Sequence, residues 1–215
     1  MCFSAAASFT AGGLLSTVGI TILAKNNNKR TLFLVSMPLL FGIQQLIEGF
    51  LWITPFSSNW HQILTYSFLA FALVIWPLYI PMAILLIEKN PLRKKIISYL
   101  AILGILISSY LLALMIINPI SSEIVNHSIN YILHEPYPIL GTIIYVIATC
   151  GSPLVSSHKF IRILGIFSTI GLLTSLYFYR VTFQSVWCFF AAIISLAIYF
   201  YIKRHSFFPP FSQVP

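Results

Sequence analysis

Seven long runs of apolar residues alternate with short polar connections along the chain. Each run is about 20 residues long, enough for a helix to cross a bilayer core of roughly 30 Å. Lipid cannot satisfy free backbone N–H and C=O groups, so each run is predicted to be helical. The predicted spans are approximately Phe3–Ala24, Leu32–Ile53, Ile63–Ile87, Ile96–Ile117, Ile139–Val155, Ile161–Tyr179 and Phe183–Ile202.

This pattern predicts an all-α polytopic membrane protein, a bundle of seven transmembrane helices. Residues 1–205 are expected to form one domain, with an amphipathic outer connection at about 118–138. Residues 206–215 follow as an irregular cytoplasmic tail. Pro77 and Pro81 lie within the third span and are expected to kink it.

The basic residues orient the predicted bundle, because they cluster in alternate connections. The positive-inside rule then places the N-terminus outside and the C-terminus inside an inner membrane. Arg180 is the one base on the predicted outer side. The bases assigned to the inner side are Lys25, Lys29, Arg30, Lys89, Arg93, Lys94, Lys95, Lys159, Arg162, Lys203 and Arg204.

Composition supports a membrane protein and argues against a nucleic-acid partner. The chain is 59% hydrophobic and 7% charged, with a mean hydropathy of +0.93. A soluble domain needs far more polar surface, so the lipid bilayer is the expected surrounding. The net charge of +8 lies in short clusters between spans, which topology explains without a nucleic acid.

One acidic residue, Glu48, lies within a predicted span. A charged group in hydrocarbon costs a few kcal/mol, so it usually has a partner or a task. Gln44 and Gln45 share much of its helix face, and Trp52 lies one turn above it. Two interpretations stay open: these groups line an outward-facing pocket, or they only bond neighbouring helices.

The predicted seventh span brings further polar groups to the same depth. Trp187 and Cys188 lie near its outer end, and Arg180 precedes it. Arg180 is expected to pair with Glu48 or with lipid phosphate. A seam of small and polar residues runs down this span for close helix packing: Ser185, Cys188, Ala192, Ser195 and Tyr199.

The chain opens with "MCFSAAASF", which places Cys2 at the predicted outer surface. Removal of Met1 would give Cys2 a free amine beside its thiol, a pair that chelates soft metals or acts as a nucleophile. Cys2 and Cys188 form a disulfide, hold a metal together, or stay as two thiols. Cys2 and Glu48 are therefore the candidate catalytic residues, and Cys2, Glu48 and Cys188 the candidate metal ligands.

The longest connection has a helical spacing of polar residues. Glu123, His127, Asn130 and His134 recur at i, i+4, i+7 and i+11. This spacing predicts an amphipathic helix at the outer interface, or a lid whose Glu123, His127 and His134 side chains face a site below. At the inner side, His158 follows Ser156 and Ser157. With no acid expected at that level, His158 is predicted to be structural.

Four stretches resemble a bacterial family of small multi-pass membrane proteins of unknown function: "MCFSAAASF", "PLLFGIQQLIEG", "SSH" and "SVWCFFAA". The family's members begin with an MCFSA-x-ASF motif. The resemblance supplies no reaction. It implies a set of positions to test: Cys2, Gln45, Glu48, His158, Trp187 and Cys188.

Together these patterns predict an outward-facing polar pocket that binds or transports a small ligand or a metal ion. A membrane enzyme for lipid or thiol chemistry is one alternative, and a structural subunit of a membrane complex is another. A membrane-protein partner or a second copy of the chain fits the last of these. The predicted pocket residues are Cys2, Gln44, Gln45, Glu48, Trp52, Arg180, Trp187 and Cys188.

Overall fold

The computed structural model describes residues 4–125 and 127–205, apart from the side chains of the last two. Eight α-helices and one β-hairpin make up the described chain. The helices are α1 (Ala5–Ala24), α2 (Leu32–Ile53), α3 (Asn59–Leu69), α4 (Trp76–Ile87), α5 (Pro91–Ile117), α6 (Pro138–Val155), α7 (Lys159–Phe178) and α8 (Phe183–His205). The hairpin strands are β1 (Ser121–Val125) and β2 (Ser128–Ile132).

The predicted seven-helix architecture is confirmed. A π-helical segment, Ala70–Ile75, joins α3 to α4 as one span, so the described chain has seven helical segments long and apolar enough to cross a membrane. Many large apolar side chains on them are exposed, such as Ile116 and Ile139 at 76% and 77%. A surface of this kind needs lipid around it, which indicates a multi-pass membrane protein.

Small residues set the close packing of α1 on α2. A Cβ atom at Gly12 would lie 2.8 Å from the Leu46 side chain, and one at Gly42 would lie 2.7 Å from the Ser16 backbone nitrogen. Only glycine leaves room for this approach. The close van der Waals packing that results holds the two helices together in lipid, where no hydrophobic driving force acts between helices. Four of the five residues of the predicted seam on α8 are buried, namely Ser185, Cys188, Ala192 and Ser195, whereas Tyr199 is half-buried.

The prolines of the third span, Pro77 and Pro81, follow its π-helical segment. The Trp76 N–H bonds the Phe71 carbonyl five residues back, and the next acceptor in that series is Ala72. Pro77 has no N–H to offer Ala72. The Tyr145 hydroxyl on α6 donates to the Ala72 carbonyl instead, at 2.5 Å. A neighbouring helix therefore satisfies the backbone group that the proline leaves free.

The helix predicted within residues 118–138 is wrong, because β1 and β2 pair there as an antiparallel hairpin. Ile124, Val125, Ile129 and Ile132 are β-branched, which favours strands. His127 has a φ of 58° in the turn, a value that helices do not use. Two residues of the supposed helix face do meet, but across the strands: Asn130 donates to Glu123 at 3.0 Å.

Alternation of the spans gives the bundle two ends. The hairpin end holds the hairpin, the start of α1, the end of α2 and the starts of α6 and α8. The opposite end holds Glu88, between α4 and α5, and the α6–α7 connection. The basic clusters of the sequence flank the spans at this second end.

Candidate functional site

Glu48 lies toward the hairpin end of the bundle, at the contact of α2 with α8. Its carboxylate is fully buried. Ser185 donates to its Oε1 at 2.5 Å, and Gln45 donates to its Oε2 at 3.3 Å. Hydrogen bonds from neutral donors offset part of the cost of removing a carboxylate from water. These contacts join the two helices through the one acid within a span of the described chain.

Gln44 extends the same cluster toward two other side chains. The Trp76 indole N–H donates to its Oε1 at 2.7 Å, and its Nε2 donates to the Cys188 sulfur at 3.5 Å. Gln44 is fully buried and has both ends of its amide bonded. The two glutamines that the sequence placed beside Glu48 are therefore brought together with Cys188. Trp76 on α4 is a member that sequence reasoning missed.

Other predicted members of this pocket stand apart from Glu48. The Arg180 side chain is exposed, and the hydrogen bonds described for Glu48 come from Gln45 and Ser185, so the predicted pairing of Arg180 with Glu48 stays a prediction. Trp52 is half-buried near the end of α2. Cys150 and Cys188 carry free thiols. Cys2 lies outside the described residues, so its predicted roles stay predictions. Within the described chain, the Glu48 cluster is a sealed group and not an open pocket.

An open cleft lies instead at the hairpin end, between the segment after β2 and the starts of α6 and α8. Its outer part encloses about 310 Å³. Its polar side chains are His134, Glu135, Thr142 and Gln184. Apolar and aromatic residues form a narrower inner part of about 40 Å³: Ala72, Leu73, Leu111, Tyr145, Val146, Phe183, Trp187 and Cys188.

Glu135 is the acid of this cleft, and sequence reasoning missed it. Its Oε1 atom is buried and has no hydrogen-bond partner. The carboxylate lies against Gly141 in the first turn of α6, where any larger residue would collide with it. Desolvation raises the pKa of Glu135 above its ordinary value. A short "LHEPYP" stretch between β2 and α6 was the available sequence signal.

Cys188 connects the cleft with the Glu48 cluster. Its side chain lines the inner cleft and also accepts the hydrogen bond from Gln44. Trp187, another predicted pocket residue, lines the same part and packs edge-on against Tyr145 with ring centroids 5.6 Å apart. The floor of the cleft is thus one side chain away from the buried polar cluster.

His61 anchors the hairpin over this end of the bundle. Its Nδ1 lies 3.1 Å from the Thr54 carbonyl, and its Nε2 lies 2.8 Å from the Ser122 hydroxyl on β1. The Thr54 carbonyl only accepts, so Nδ1 carries the proton in this pair. Phe68 adds a stacked contact with Tyr131 of β2, their ring centroids 4.4 Å apart.

The three residues of the predicted lid lie in or just after this hairpin, and their surroundings differ. Glu123 and His127 are exposed on β1 and in the turn. His134 follows β2 and lines the cleft. Of the three residues, the structure brings only His134 to a cavity. The hairpin covers the cleft from one side through Tyr131, Leu133 and His134.

At the opposite end, the expectation that no acid lies near His158 is wrong. Glu88 is 3% exposed and accepts hydrogen bonds from the hydroxyls of Ser156 and Ser157, at 3.1 and 2.5 Å. The Ser157 amide adds a third at 2.8 Å. His158 bonds the Ile87 carbonyl at 3.0 Å, in keeping with a structural role. We call Glu88, Ser156, Ser157 and His158 the Glu88 latch.

Arg93 completes this end by donating to the carbonyls of Val155 and Ser156, at 3.2 and 2.9 Å. Burial acts to raise the pKa of Glu88, but its hydrogen bonds from Ser157, Asn90 and Ser156 outweigh burial, and the pKa lies below its ordinary value. The latch holds the α4–α5 connection against the α6–α7 connection.

Within residues 4–125 and 127–203, side chains of His, Cys, Asp and Glu form no group of three able to hold a metal ion. Gln45 donates to Glu48 and its neighbour Gln44 donates to Cys188, but two such side chains fall short of the usual ligand sets. A metal site using Cys2 lies outside the described residues.

The fold and its polar groups define a multi-pass helical membrane protein with a sealed polar cluster and an open cleft at one end. The chain belongs to the family of unknown function (DUF6629), which covers residues 1–210. No curated protein and no solved structure matches the chain. Inferences about function therefore rest on the chemistry of the cleft and of the Glu48 cluster.

Proposed function

We propose that this chain is an inner-membrane protein that binds a small molecule in the cleft at the hairpin end. The observation that carries the proposal is the Glu135 carboxylate, whose buried Oε1 lacks a hydrogen-bond partner within an open cleft. A desolvated polar atom without a partner costs free energy, and a bound ligand group would recover it.

The size and lining of the cleft support this proposal. Its volume of about 310 Å³ lies at the lower end of the roughly 300–1,000 Å³ usual for ligand sites. Four polar side chains surround an apolar floor, the combination typical of such sites. The Glu48 cluster supports the α2–α8 contact behind the floor, which keeps the cleft in shape.

The positive-inside pattern places the cleft on the outer side of the membrane. The test of orientation uses an impermeant maleimide on intact cells, in a Cys2→Ser background. We expect Gln184→Cys, in the cleft, to be labelled in intact cells. Asn28→Cys, exposed in the basic α1–α2 connection, should be labelled only after permeabilisation. The reverse result would overturn the orientation.

Binding is tested on the full chain purified in a non-ionic detergent. The probes are phenethylamine, 2-phenylethanol and phenylacetate, which share a ring and chain length but carry charges of about +1, 0 and −1 near neutral pH. We expect saturable binding of at least one probe above the level of empty micelles. Thr142→Trp, which fills the cleft, should abolish it. Equal uptake by this variant would refute binding in the cleft.

A further inference from the structure

The cleft also has a charge character, and the inference drawn from it rests on the proposed binding function. Glu135 is the only acid that lines it, and its described lining includes no Lys or Arg. The other polar side chains of the lining are His134, Thr142 and Gln184. An anionic ligand would find one carboxylate and no fixed positive charge, which disfavours it.

The unpartnered oxygen of Glu135 is an acceptor. Its Oε1 is buried in the cleft and has no hydrogen-bond partner, so it suits a ligand group that donates hydrogen bonds. A charged donor such as an ammonium gives stronger hydrogen bonds than a neutral one.

The floor determines what such a cation carries with it. Tyr145 and Trp187 present aromatic surface, and Leu73, Leu111 and Val146 add apolar surface. Aromatic faces attract organic cations, and apolar surface favours a substituent that leaves water. A bare metal ion would gain little here, because it needs several oxygen or nitrogen ligands around it.

From these features we infer that the cleft binds an organic ammonium cation with an aromatic or apolar substituent. The ammonium group lies against Glu135, and the substituent occupies the floor against Tyr145 and Trp187. This arrangement supplies the carboxylate with its missing counter-charge.

The experiment compares the three charge-matched probes on the purified full chain by equilibrium dialysis, with empty micelles subtracted. We expect phenethylamine to bind at least about tenfold more tightly than 2-phenylethanol, and phenylacetate least tightly. Glu135→Gln should lower phenethylamine affinity about tenfold and leave 2-phenylethanol unchanged. Glu123→Gln, on the exposed hairpin strand, should change neither affinity.

A second variant separates loss of charge from loss of position. Gly141→Ala keeps the carboxylate but displaces it, since the added Cβ would occupy its place. We expect this variant to weaken phenethylamine binding as well. Each variant is first checked for an unaltered monodisperse elution profile.

The outcomes separate the inference from the proposed function. If phenethylamine and 2-phenylethanol bind equally and Thr142→Trp abolishes both, the cleft is a binding site and the ammonium inference is wrong. An unchanged phenethylamine affinity in Glu135→Gln would equally overturn the inference. If none of the three probes binds above empty micelles, the proposed function and the inference both fail.

Discussion

Glu88 and Ser157 lie 69 residues apart in the chain, yet the Ser157 amide and hydroxyl both donate to the Glu88 carboxylate, at 2.8 and 2.5 Å. The two residues belong to different connections at one end of the bundle. Their contact ties the α4–α5 turn to the α6–α7 turn. Hydrogen bonds lower the pKa of Glu88, whereas desolvation raises the pKa of Glu135 at the opposite end of the bundle.

Acidification should weaken the Glu88 latch. The folded pKa of Glu88 lies below the ordinary 4.5, so its contribution is complete above that value and is lost as pH falls through the folded pKa. We expect Glu88→Gln to lower stability near neutral pH by about 2 kcal/mol. The difference from wild type should vanish at acid pH. Thermal unfolding of the purified protein across pH measures this, with Glu123→Gln as the exposed control. A loss that is equal at all pH values would contradict it.

Glu135 should show the opposite dependence. Its folded pKa is raised above the ordinary 4.5, so the contribution of this group is greatest below that value and is lost as pH rises through the folded pKa. Glu135→Gln should therefore have no effect at acid pH and raise the melting temperature near neutral pH. The same thermal series measures it. A lower melting temperature for Glu135→Gln at neutral pH would show that the carboxylate is not a strained group.

Glu48 and Ser185 should be energetically coupled. Ser185→Ala removes the donor of the short hydrogen bond between α2 and α8, and Glu48→Gln weakens this bond because a neutral amide oxygen replaces the charged acceptor. A double-mutant cycle of unfolding free energies should give a coupling of about 1–3 kcal/mol. Glu48→Gln combined with Ser98→Ala, a half-buried α5 residue whose hydroxyl donates to Lys94 of its own helix, should be additive. Additivity in the first pair would remove Glu48 from any role in joining the helices.

The hairpin should depend on the His61–Ser122 contact. Ser122→Ala leaves Nε2 of buried His61 without its 2.8 Å partner. We expect faster amide hydrogen exchange across β1 and β2, with the transmembrane helices unchanged. Ser121→Ala, an exposed neighbour on the same strand, is the matched control. Equal exchange in both variants would mean that packing of Phe68 on Tyr131 is sufficient.

Two glycines should differ in their tolerance of alanine. A Cβ atom at Gly104 would overlap the Pro77 carbonyl, a group that cannot receive the usual hydrogen bond because Pro81 has no N–H. Gly104→Ala should lower the free energy of unfolding by about 1–3 kcal/mol through overpacking. Gly13 faces open space, so Gly13→Ala should be neutral or stabilising by up to about 1 kcal/mol. Comparison of the melting temperatures decides it, and a tolerated Gly104→Ala would refute this helix contact.

The seven spans could be predicted because lipid imposes one simple rule, an apolar run long enough to cross. Predicted and observed boundaries such as Leu32–Ile53 agree for that reason. Gln44, Gln45 and Glu48 could also be grouped, since they lie one helical turn apart on a single element. Cys188 could be grouped with them because it was predicted to lie at the same membrane depth on another span.

Contacts between distant connections could not be predicted in the same way. Glu88 reads as one charge among several bases, and nothing local identifies Ser157 as its partner. The hairpin was missed because Glu123, His127, Asn130 and His134 happen to follow a helical period, while the β-branched residues between them favour strands. The role of Glu135 could not be predicted, because residues distant in the sequence form the cleft around it.

The π-helical segment Ala70–Ile75 has a consequence for insertions and deletions. An α-helix turns by about 100° per residue, so one residue removed from this segment would rotate everything after it by that angle. Trp76 would then turn away from Gln44, and Pro77 from Gly104. The π-helical segment thus rotates the side chains of α4 about the span axis relative to those of α3, compared with an unbroken α-helix. Ala72 and Leu73 reach the cleft within the wider turn, and Trp76 reaches the Glu48 cluster after it.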